Sequence, residues 1–353
     1  MEIAFFTDSY PPLRDGVSHQ VRALARALRR EGHSVTVHAP KAPTGSAPEE
    51  PEEVPVVRSV SVPVARYPGL RWAVFPYARL RGGGPGDSAE LVHLHTPGPM
   101  GTAGFLMARH RRLPMVGTFH TDVYAARLSF GTHPLVRFFF WMSQWYSLGL
   151  YYRCDALTAP TEPARLTLLA HAEKPFRRPV EVVPNGIELD RFRPGISAPD
   201  WRGRFDLGPE PLVLYLGRLT RDKGIHRLLD AVAALSDSLP GSVLIGGAGP
   251  EEGALRERIR DDPRLARRVR YAGPIAEEEK PAFLSQGDLF ALPSVSDTSS
   301  VAVLEAMASG LPCLVTDVGG PQALVRASSG GRVVPADRPA ALVEALSELL
   351  AEP

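Results

Sequence analysis

Short apolar runs alternate with amphipathic stretches along nearly the whole chain. The first run, residues 3–6, leads into a turn carrying Pro11, Pro12, Asp15 and Gly16. Ser18 then stands where a helix N-cap belongs, with Val21, Leu24, Ala25 and Leu28 on one face and Gly32 as the stop. Val35 and Val37 open the next strand, and further strands are predicted at 91–94, 115–119, 156–159 and 181–183, with a helix at 100–109. A polar break with little periodicity runs from Arg191 to Gly203, and then the alternation restarts. Strands are predicted at 212–216, 242–245, 269–272, 288–292 and 312–315, and helices at 225–235, 251–260, 277–284, 301–309 and 340–350. Such alternation predicts the α/β class with open, mainly parallel sheets. The expectation is two doubly wound, Rossmann-like domains, residues 1–196 and 197–353, facing each other across one ligand-binding cleft. Segments 41–55 and 82–86 read as mobile loops.

Composition then removes several function classes. With 353 residues, each of two domains can bury its own core. The 40 basic and 39 acidic residues leave a net charge of +1, so no global field recruits nucleic acid, and no nucleic-acid partner is expected. Cys154 and Cys313 are too far apart for a CxxC, which argues against a disulfide framework or zinc ribbon and for a reducing compartment. No basic segment precedes the first strand, and no run reaches ~18 apolar residues. A cytoplasmic protein is therefore expected. Basic charge is almost all arginine, so the few lysines (Lys41, Lys174, Lys223 and Lys280) stand out, because the two side chains differ in geometry and hydration.

Three groups of residues carry candidate chemistry. Gly217 to Gly224 follows a buried strand and places Arg218 and Lys223 at one carboxyl edge. A guanidinium fork and a compact ammonium suit a diphosphate there. Neither a Walker A sequence nor GxGxxG is present, which excludes the ordinary P-loop and dinucleotide readings. Asp297 lies in a loop after the strand ending near Pro293, and Ser299 or Ser300 caps the helix that follows. That helix start offers free N–H groups to an anion, Glu305 could accept from ribose hydroxyls, and Asp297 from sugar hydroxyls. In the first half, Gly16 allows close backbone approach to a ligand, and His120 at a strand end could donate to or orient a reacting hydroxyl.

Taken together, these residues resemble the retaining glycosyltransferases of family four, which have the GT-B fold. The matching stretches are Phe6-Thr-Asp-Ser-Tyr-Pro-Pro with Asp15-Gly16-Val, His93-Leu-His95-Thr-Pro-Gly-Pro, Thr118-Phe-His120-Thr and Val183-Pro-Asn-Gly-Ile-Glu188. They continue with Gly217-Arg218, Lys223-Gly, Gly247-Ala-Gly-Pro-Glu251, and Asp297 with Glu305-Ala-Met-Ala. The resemblance implies a nucleotide diphosphate sugar donor, GDP- or UDP-linked, and a hydroxyl acceptor. It implies that Arg218 and Lys223 bind the donor diphosphate without a metal or other cofactor, that Glu305 holds the ribose and that Asp297 contacts the transferred sugar. Gly16 would admit the phosphates, and His120 would sit near the reacting carbon. Gly247, Ser300 and Val301 complete the implied donor site. Asp-Thr at Asp297 is similar to members that transfer mannose or sulfoquinovose, often to lipids. Mannose from GDP-mannose is thus the first expectation and glucose from a UDP donor the next.

Three departures are visible. Asp297 replaces the family's usual Glu, and Ser299-Ser300 replaces Phe-Gly. The sequence also ends at Pro353, several dozen residues before the final helix expected of such a protein. A catalytically inactive nucleotide-sugar or glycan-binding relative is the alternative that these departures raise. A GT-B epimerase is a third, for which no acid–base carboxylate and histidine set is legible. For the acceptor, the aromatic run 138–152, flanked by Arg137 and Arg153, reads first as a core helix. The other reading is a bilayer-docking segment at a peripheral membrane site, with Arg109, Arg111, Arg112, Trp72 and Phe75 contributing.

Overall fold

A computed structural model of the chain describes residues 1–13, 15–42, 54–64, 71–74, 76, 88–122, 134–196 and 200–351. Most of the 41–55 loop, all of 82–86, and Phe75 lie outside the described residues. The chain forms two compact units, Met1–Gly186 and Ile187–Pro353. The division falls before residue 197 because the stretch after Gly186 packs with the second unit. Phe192 is buried in that unit's core, and Arg191 bonds to the Glu277 carbonyl at 2.9 Å.

In the first unit, the strands are β1 (Glu2–Phe6), β2 (Ser34–Pro40), β3 (Val56–Ser59), β4 (Ser61–Pro63), β5 (Arg71–Ala73), β6 (Leu91–Leu94), β7 (Met115–Thr118), β8 (Ala156–Ala159) and β9 (Val180–Val182). The helices are α1 (Gly16–Arg30), α2 (Pro99–Arg111), α3 (Pro134–Tyr151) and α4 (Glu162–His171). Seven strands form one sheet, ordered β3-β2-β1-β6-β7-β8-β9, and every pair in it is parallel. Strand β1 is apolar on both faces because both are covered. Ala4 and Phe6 pack on one side with α2, whereas Ile3 and Phe5 pack on the other with α1. Strands β4 and β5 form a separate antiparallel hairpin pairing Val62 with Trp72. Helix α1 starts earlier than Ser18: the cap is Asp15, whose carboxylate accepts from the Ser18 N–H at 2.8 Å.

The second unit contains α5 (Trp201–Arg204), β10 (Leu212–Leu216), α6 (Ile225–Ala234), β11 (Ser242–Gly246), α7 (Glu252–Asp261), α8 (Pro263–Arg268), β12 (Val269–Gly273), α9 (Lys280–Leu284), β13 (Leu289–Leu292), α10 (Val301–Ala308), β14 (Cys313–Thr316), α11 (Gly319–Ser328), β15 (Gly331–Val334) and α12 (Pro339–Ala351). Its sheet order is β12-β11-β10-β13-β14-β15, again all parallel. By strand number this is the 3-2-1-4-5-6 order of a doubly wound nucleotide-binding sheet, with the winding reversing between β10 and β13. Every residue of β10, β11, β13 and β14 is buried, as strands covered by helices on both faces require. Polar groups are thereby displaced to the strand ends, and the candidate chemistry gathers there.

The aromatic run does not behave as a core helix. Helix α3 buries Phe140, Leu148 and Tyr151, but leaves Phe138, Trp141 and Trp145 exposed. Its first turns carry more apolar side chains than the sheet can cover, so one arc faces the core and another faces outward.

Candidate functional site

At the carboxyl end of β10, the chain turns through Gly217 and Arg218 into a short 3₁₀ turn, Arg221–Lys223. Gly224 ends that turn at φ +71, and a Cβ there would lie 1.8 Å from the Pro293 carbonyl oxygen, so no other residue fits. The Asp222 carbonyl accepts from the Val295 N–H at 2.8 Å. These contacts sew the loop after β10 to the loop after β13, at the point where the winding reverses. Gly247, at the end of β11, has φ +137, and a Cβ would lie 1.9 Å from the Gly217 carbonyl oxygen. Its role in the structure is this close packing of two strand-end loops.

Lys223 reaches across the reversal to Asp297, with Nζ to Oδ2 at 2.6 Å and side-chain exposures of 17% and 5%. The other Asp297 oxygen accepts from the backbone N–H groups of Ser299 at 3.3 Å and Ser300 at 3.0 Å. The Asp297 carbonyl accepts from Gly320 at 3.0 Å, at the start of α11. Asp297 is thus fixed on four sides, and Lys223 is held beside it. Arg218, about a third exposed, lies 3.6 Å from Asp222.

Ser300 is the N-cap of α10, and its hydroxyl accepts from the Val303 N–H at 3.4 Å. It sits at φ +44, ψ +93, an unfavourable backbone for a residue with a Cβ. Val301 is the first helical residue. Farther into the helix, Glu305 is 1% exposed and accepts from Lys280 Nζ at 3.1 Å, while the same lysine pairs with Glu277 at 2.7 Å. Burial opposes the Lys280 charge, but the two carboxylates outweigh it and raise its pKa. Arg218, Lys223, Asp297, Ser300, Val301 and Glu305 are therefore brought to one end of the second sheet. Lys280 and Glu277 went unnoticed in the motif reading; the scarcity of lysine was the one signal that could have found Lys280.

In the first unit, the corresponding reversal lies between β1 and β6. Asp8, after β1, accepts from Thr96 Oγ1 at 2.6 Å and from the Met100 N–H at 3.0 Å, which places its carboxyl at the start of α2. Burial pushes its pKa up to about 6. Gly16 is the exposed first residue of α1. His120, just past β7, meets His95 with Nε2 to Nδ1 at 3.2 Å, and His95 lies tilted against His93 with centroids 4.0 Å apart. His93 Nε2 bonds Thr118 Oγ1 at 2.7 Å. Burial lowers all three histidines, His120 to about 4 and His93 to about 3, and His95 well below its usual value. His120 is accordingly the solvent-side end of a neutral imidazole column, able to donate or accept a hydrogen bond without carrying charge.

Two family models match the chain. "Glycosyltransferase Family 4" covers residues 14–191, half of the chain, and "Glycosyl transferases group 1" covers residues 210–352. A GDP-mannose-dependent alpha-mannosyltransferase of Mycolicibacterium smegmatis is 30% identical, over 100% of this chain and 89% of its own length. The chain belongs to glycosyltransferase family 4. The alpha-monoglucosyldiacylglycerol synthase of Streptococcus pneumoniae is 28% identical over 89% of this chain and 70% of that protein. A sucrose-phosphate synthase from Thermosynechococcus elongatus superposes with a TM-score of 0.79 at 22% identity, covering 100% of this chain and 90% of that one. The fold is therefore GT-B, and the protein is a glycosyltransferase.

Three outcomes follow from this geometry. Lys280→Met strands the buried Glu305 charge and is expected to cost the glycosyltransferase about 3–5 kcal/mol, read by denaturant unfolding. Adding Glu305→Gln should recover most of that loss, and an additive double variant would refute the pairing. Ser300→Gly relieves about 1–3 kcal/mol of backbone strain against a few tenths lost at the cap, so its unfolding midpoint should rise. The histidine column, with pKa values depressed in the fold, stabilises above pH 6.5, and that stability is lost as pH falls toward 4. Asp8, raised in the fold, opposes one of these protons between about pH 6 and 4. His120→Asn should flatten the fall in stability by up to about 1.4 kcal/mol per pH unit, measured by thermal unfolding between pH 7 and 5.

Proposed function

We propose that this glycosyltransferase is a retaining, metal-independent enzyme that moves mannose from GDP-mannose to a hydroxyl carried by a membrane lipid. The observation that carries the reading is the Lys223–Asp297 pair with Arg218 beside it, at the reversal point of the second sheet. Two cations at one strand-end edge can neutralise the charge that develops on a departing diphosphate, the task a divalent ion performs elsewhere. The 30% identity to a GDP-mannose-dependent enzyme, over the whole chain, supports the donor. The diacylglycerol synthase relative supports a lipid-borne acceptor.

In the proposed reaction, the acceptor hydroxyl forms its bond to the anomeric carbon on the face that the diphosphate leaves. The sugar–phosphate bond breaks, and the hydroxyl proton passes to the departing phosphate oxygen. No protein nucleophile is needed. Arg218 and Lys223 bind the diphosphate, Glu305 accepts from the ribose, and Ser300 and Val301 at the start of α10 face the donor, the Ser300 N–H being already given to Asp297. Gly16 admits the phosphates, and His120 contacts the transferred sugar. Asp297 acts by holding Lys223 and is the carboxylate that contacts the transferred sugar in this reading.

A UDP-glucose donor with a soluble acceptor is the second reading, since family membership alone does not fix the base. Thermal shifts with GDP, UDP and ADP separate the two: a nucleotide at 100 times its Kd adds about 2.7 kcal/mol. The larger shift is expected from GDP, and a shift from UDP alone would overturn the donor assignment. Transfer or donor hydrolysis should persist in EDTA and fall about 10²–10³-fold in Arg218→Ala. Arg218 is the cleaner probe, because it is more exposed than Lys223 and its contact with Asp222, at 3.6 Å, is longer than the 2.6 Å Lys223–Asp297 pair. Strict dependence on Mg²⁺ would contradict the proposal, and nucleotide binding without turnover on any acceptor would favour an inactive relative.

A further inference from the structure

We propose that His95 is a positioning residue for the transfer reaction, donating from Nδ1 to His120 Nε2 and so holding the His120 proton on Nδ1. The role rests on the reading in which His120 contacts the transferred sugar, whereas the bond itself stands on packing within the first unit. Strands β6 and β7 are parallel neighbours, with Leu94 beside Gly117. Each delivers one histidine just past its carboxyl end, His95 from β6 and His120 from β7. The rings meet through Nδ1 of His95 and Nε2 of His120 at 3.2 Å. Their centroids are 5.4 Å apart, nearly that contact plus both ring radii, and their planes lie 26° from parallel. The two nitrogens therefore sit on the line joining the rings, which is the geometry of an N–H···N hydrogen bond.

Such a bond needs one proton between the two nitrogens, and burial keeps both rings neutral. The far edge of His95 decides which ring gives it. His95 is 1% exposed, and its Nε2 has no hydrogen-bond partner among the described residues. Were His120 the donor, the His95 proton would sit on Nε2 as a buried N–H without an acceptor, the arrangement that protein interiors avoid most strictly. With the proton on Nδ1, His95 gives it to His120, and only a bare ring lone pair stays enclosed. The His95 ring is held in place by Phe5, with centroids 4.4 Å apart, and by His93 at 4.0 Å. His93 is in turn tied through Nε2 to Thr118, and Thr118 to Thr158, each at 2.7 Å. His120 then has Nε2 filled as an acceptor and carries its own proton on Nδ1. A polar contact with a sugar hydroxyl falls to Nδ1, so the sugar meets an N–H donor that bears no charge.

The test reads the tautomer directly, by long-range proton–nitrogen NMR correlation of the histidine rings in the intact, isotope-labelled protein without donor or acceptor. The His120 signals are assigned by their loss in His120→Asn. At neutral pH, His120 is expected to carry its proton on Nδ1. His95→Phe keeps a flat ring against Phe5 and His93 but removes the donor. In that variant His120 should shift toward the Nε2–H tautomer, and kcat for transfer or donor hydrolysis should fall about tenfold with the donor KM unchanged. His95→Asn, whose amide N–H₂ lies close to the position of Nδ1, should restore the tautomer and most of kcat. A wild-type His120 protonated on Nε2 overturns the proposal, and that measurement needs no variant to fold. A tautomer indifferent to His95→Phe also overturns it, as does an equal loss of kcat in His95→Asn and His95→Phe. Transfer unaffected by His120→Asn would end the sugar-contact reading, and with it the purpose of the bond. The tautomer, read without substrate, would stay as measured, so the two failures are distinct.

Discussion

A carboxylate as deeply buried as Asp297 cannot be left unpaired, and the second unit is arranged around satisfying it. Lys223 supplies the opposite charge from the next loop, and the Ser299 and Ser300 N–H groups supply hydrogen bonds from the same loop. Meeting that demand fixes where β10 and β13 end relative to each other. It also requires the tight turn at Gly224, where a side chain would collide with Pro293. The ion pair thus holds a cation at the strand-order reversal, the place where doubly wound sheets bind ligands. A second buried carboxylate, Glu305, is answered in the same way by Lys280. Two lysines among a basic complement that is nearly all arginine sit in these two roles, where a compact ammonium reaches a single carboxylate oxygen that a broad planar fork would crowd.

Much of this was legible from the chain alone, for identifiable reasons. Strand β10 matches its predicted bounds because a strand buried on both faces is a continuous apolar run, here bounded by Pro211 and Gly217. The cap of α1 was misplaced because Asp15 and Ser18 are both capping residues three apart; Ser18 is the N–H donor and Asp15 the acceptor. Strands β3 and β15 were missed because they are short and only partly buried, so neither a long apolar run nor clean alternation marks them. Helix α11 was missed because Gly319-Gly-Pro321 reads as a breaker, whereas proline is tolerated in a first helical turn, where its missing N–H has no partner to lose. The Lys280–Glu305 contact lies beyond sequence reading in principle: the residues are 25 apart on different helices, and only the packing of α9 beside α10 joins them.

Helix α3 departs from the sequence reading in the opposite sense. Its hydrophobicity was read as burial, the usual meaning of such a run, but the sheet has only one face on that side to offer. An aromatic helix can cover β7 and β8 with Leu148 and Tyr151 and still have rings left over. Periodicity could not show this, because apolar residues occupy both arcs and no polar stripe marks the outer one.

Asp297 and Ser300 are best understood as one departure from the family pattern rather than two. The carboxylate at position 297 accepts from the Ser300 N–H, so the bond that fixes Asp297 also fixes the positive φ of Ser300. A residue one methylene longer would place its carboxylate farther along the loop and would not need the turn to close so tightly. Glycine, the residue the resemblance leads one to expect at 300, would adopt this φ without strain but would lose the hydroxyl that caps α10. The short acid therefore draws the helix start toward Lys223, and the serine holds it there at a cost in backbone strain. Strain retained at the end of a sheet, beside a cation and a helix N-terminus, sets the turn in advance, because the Ser299 and Ser300 N–H groups are already given to the carboxylate that holds Lys223 in place.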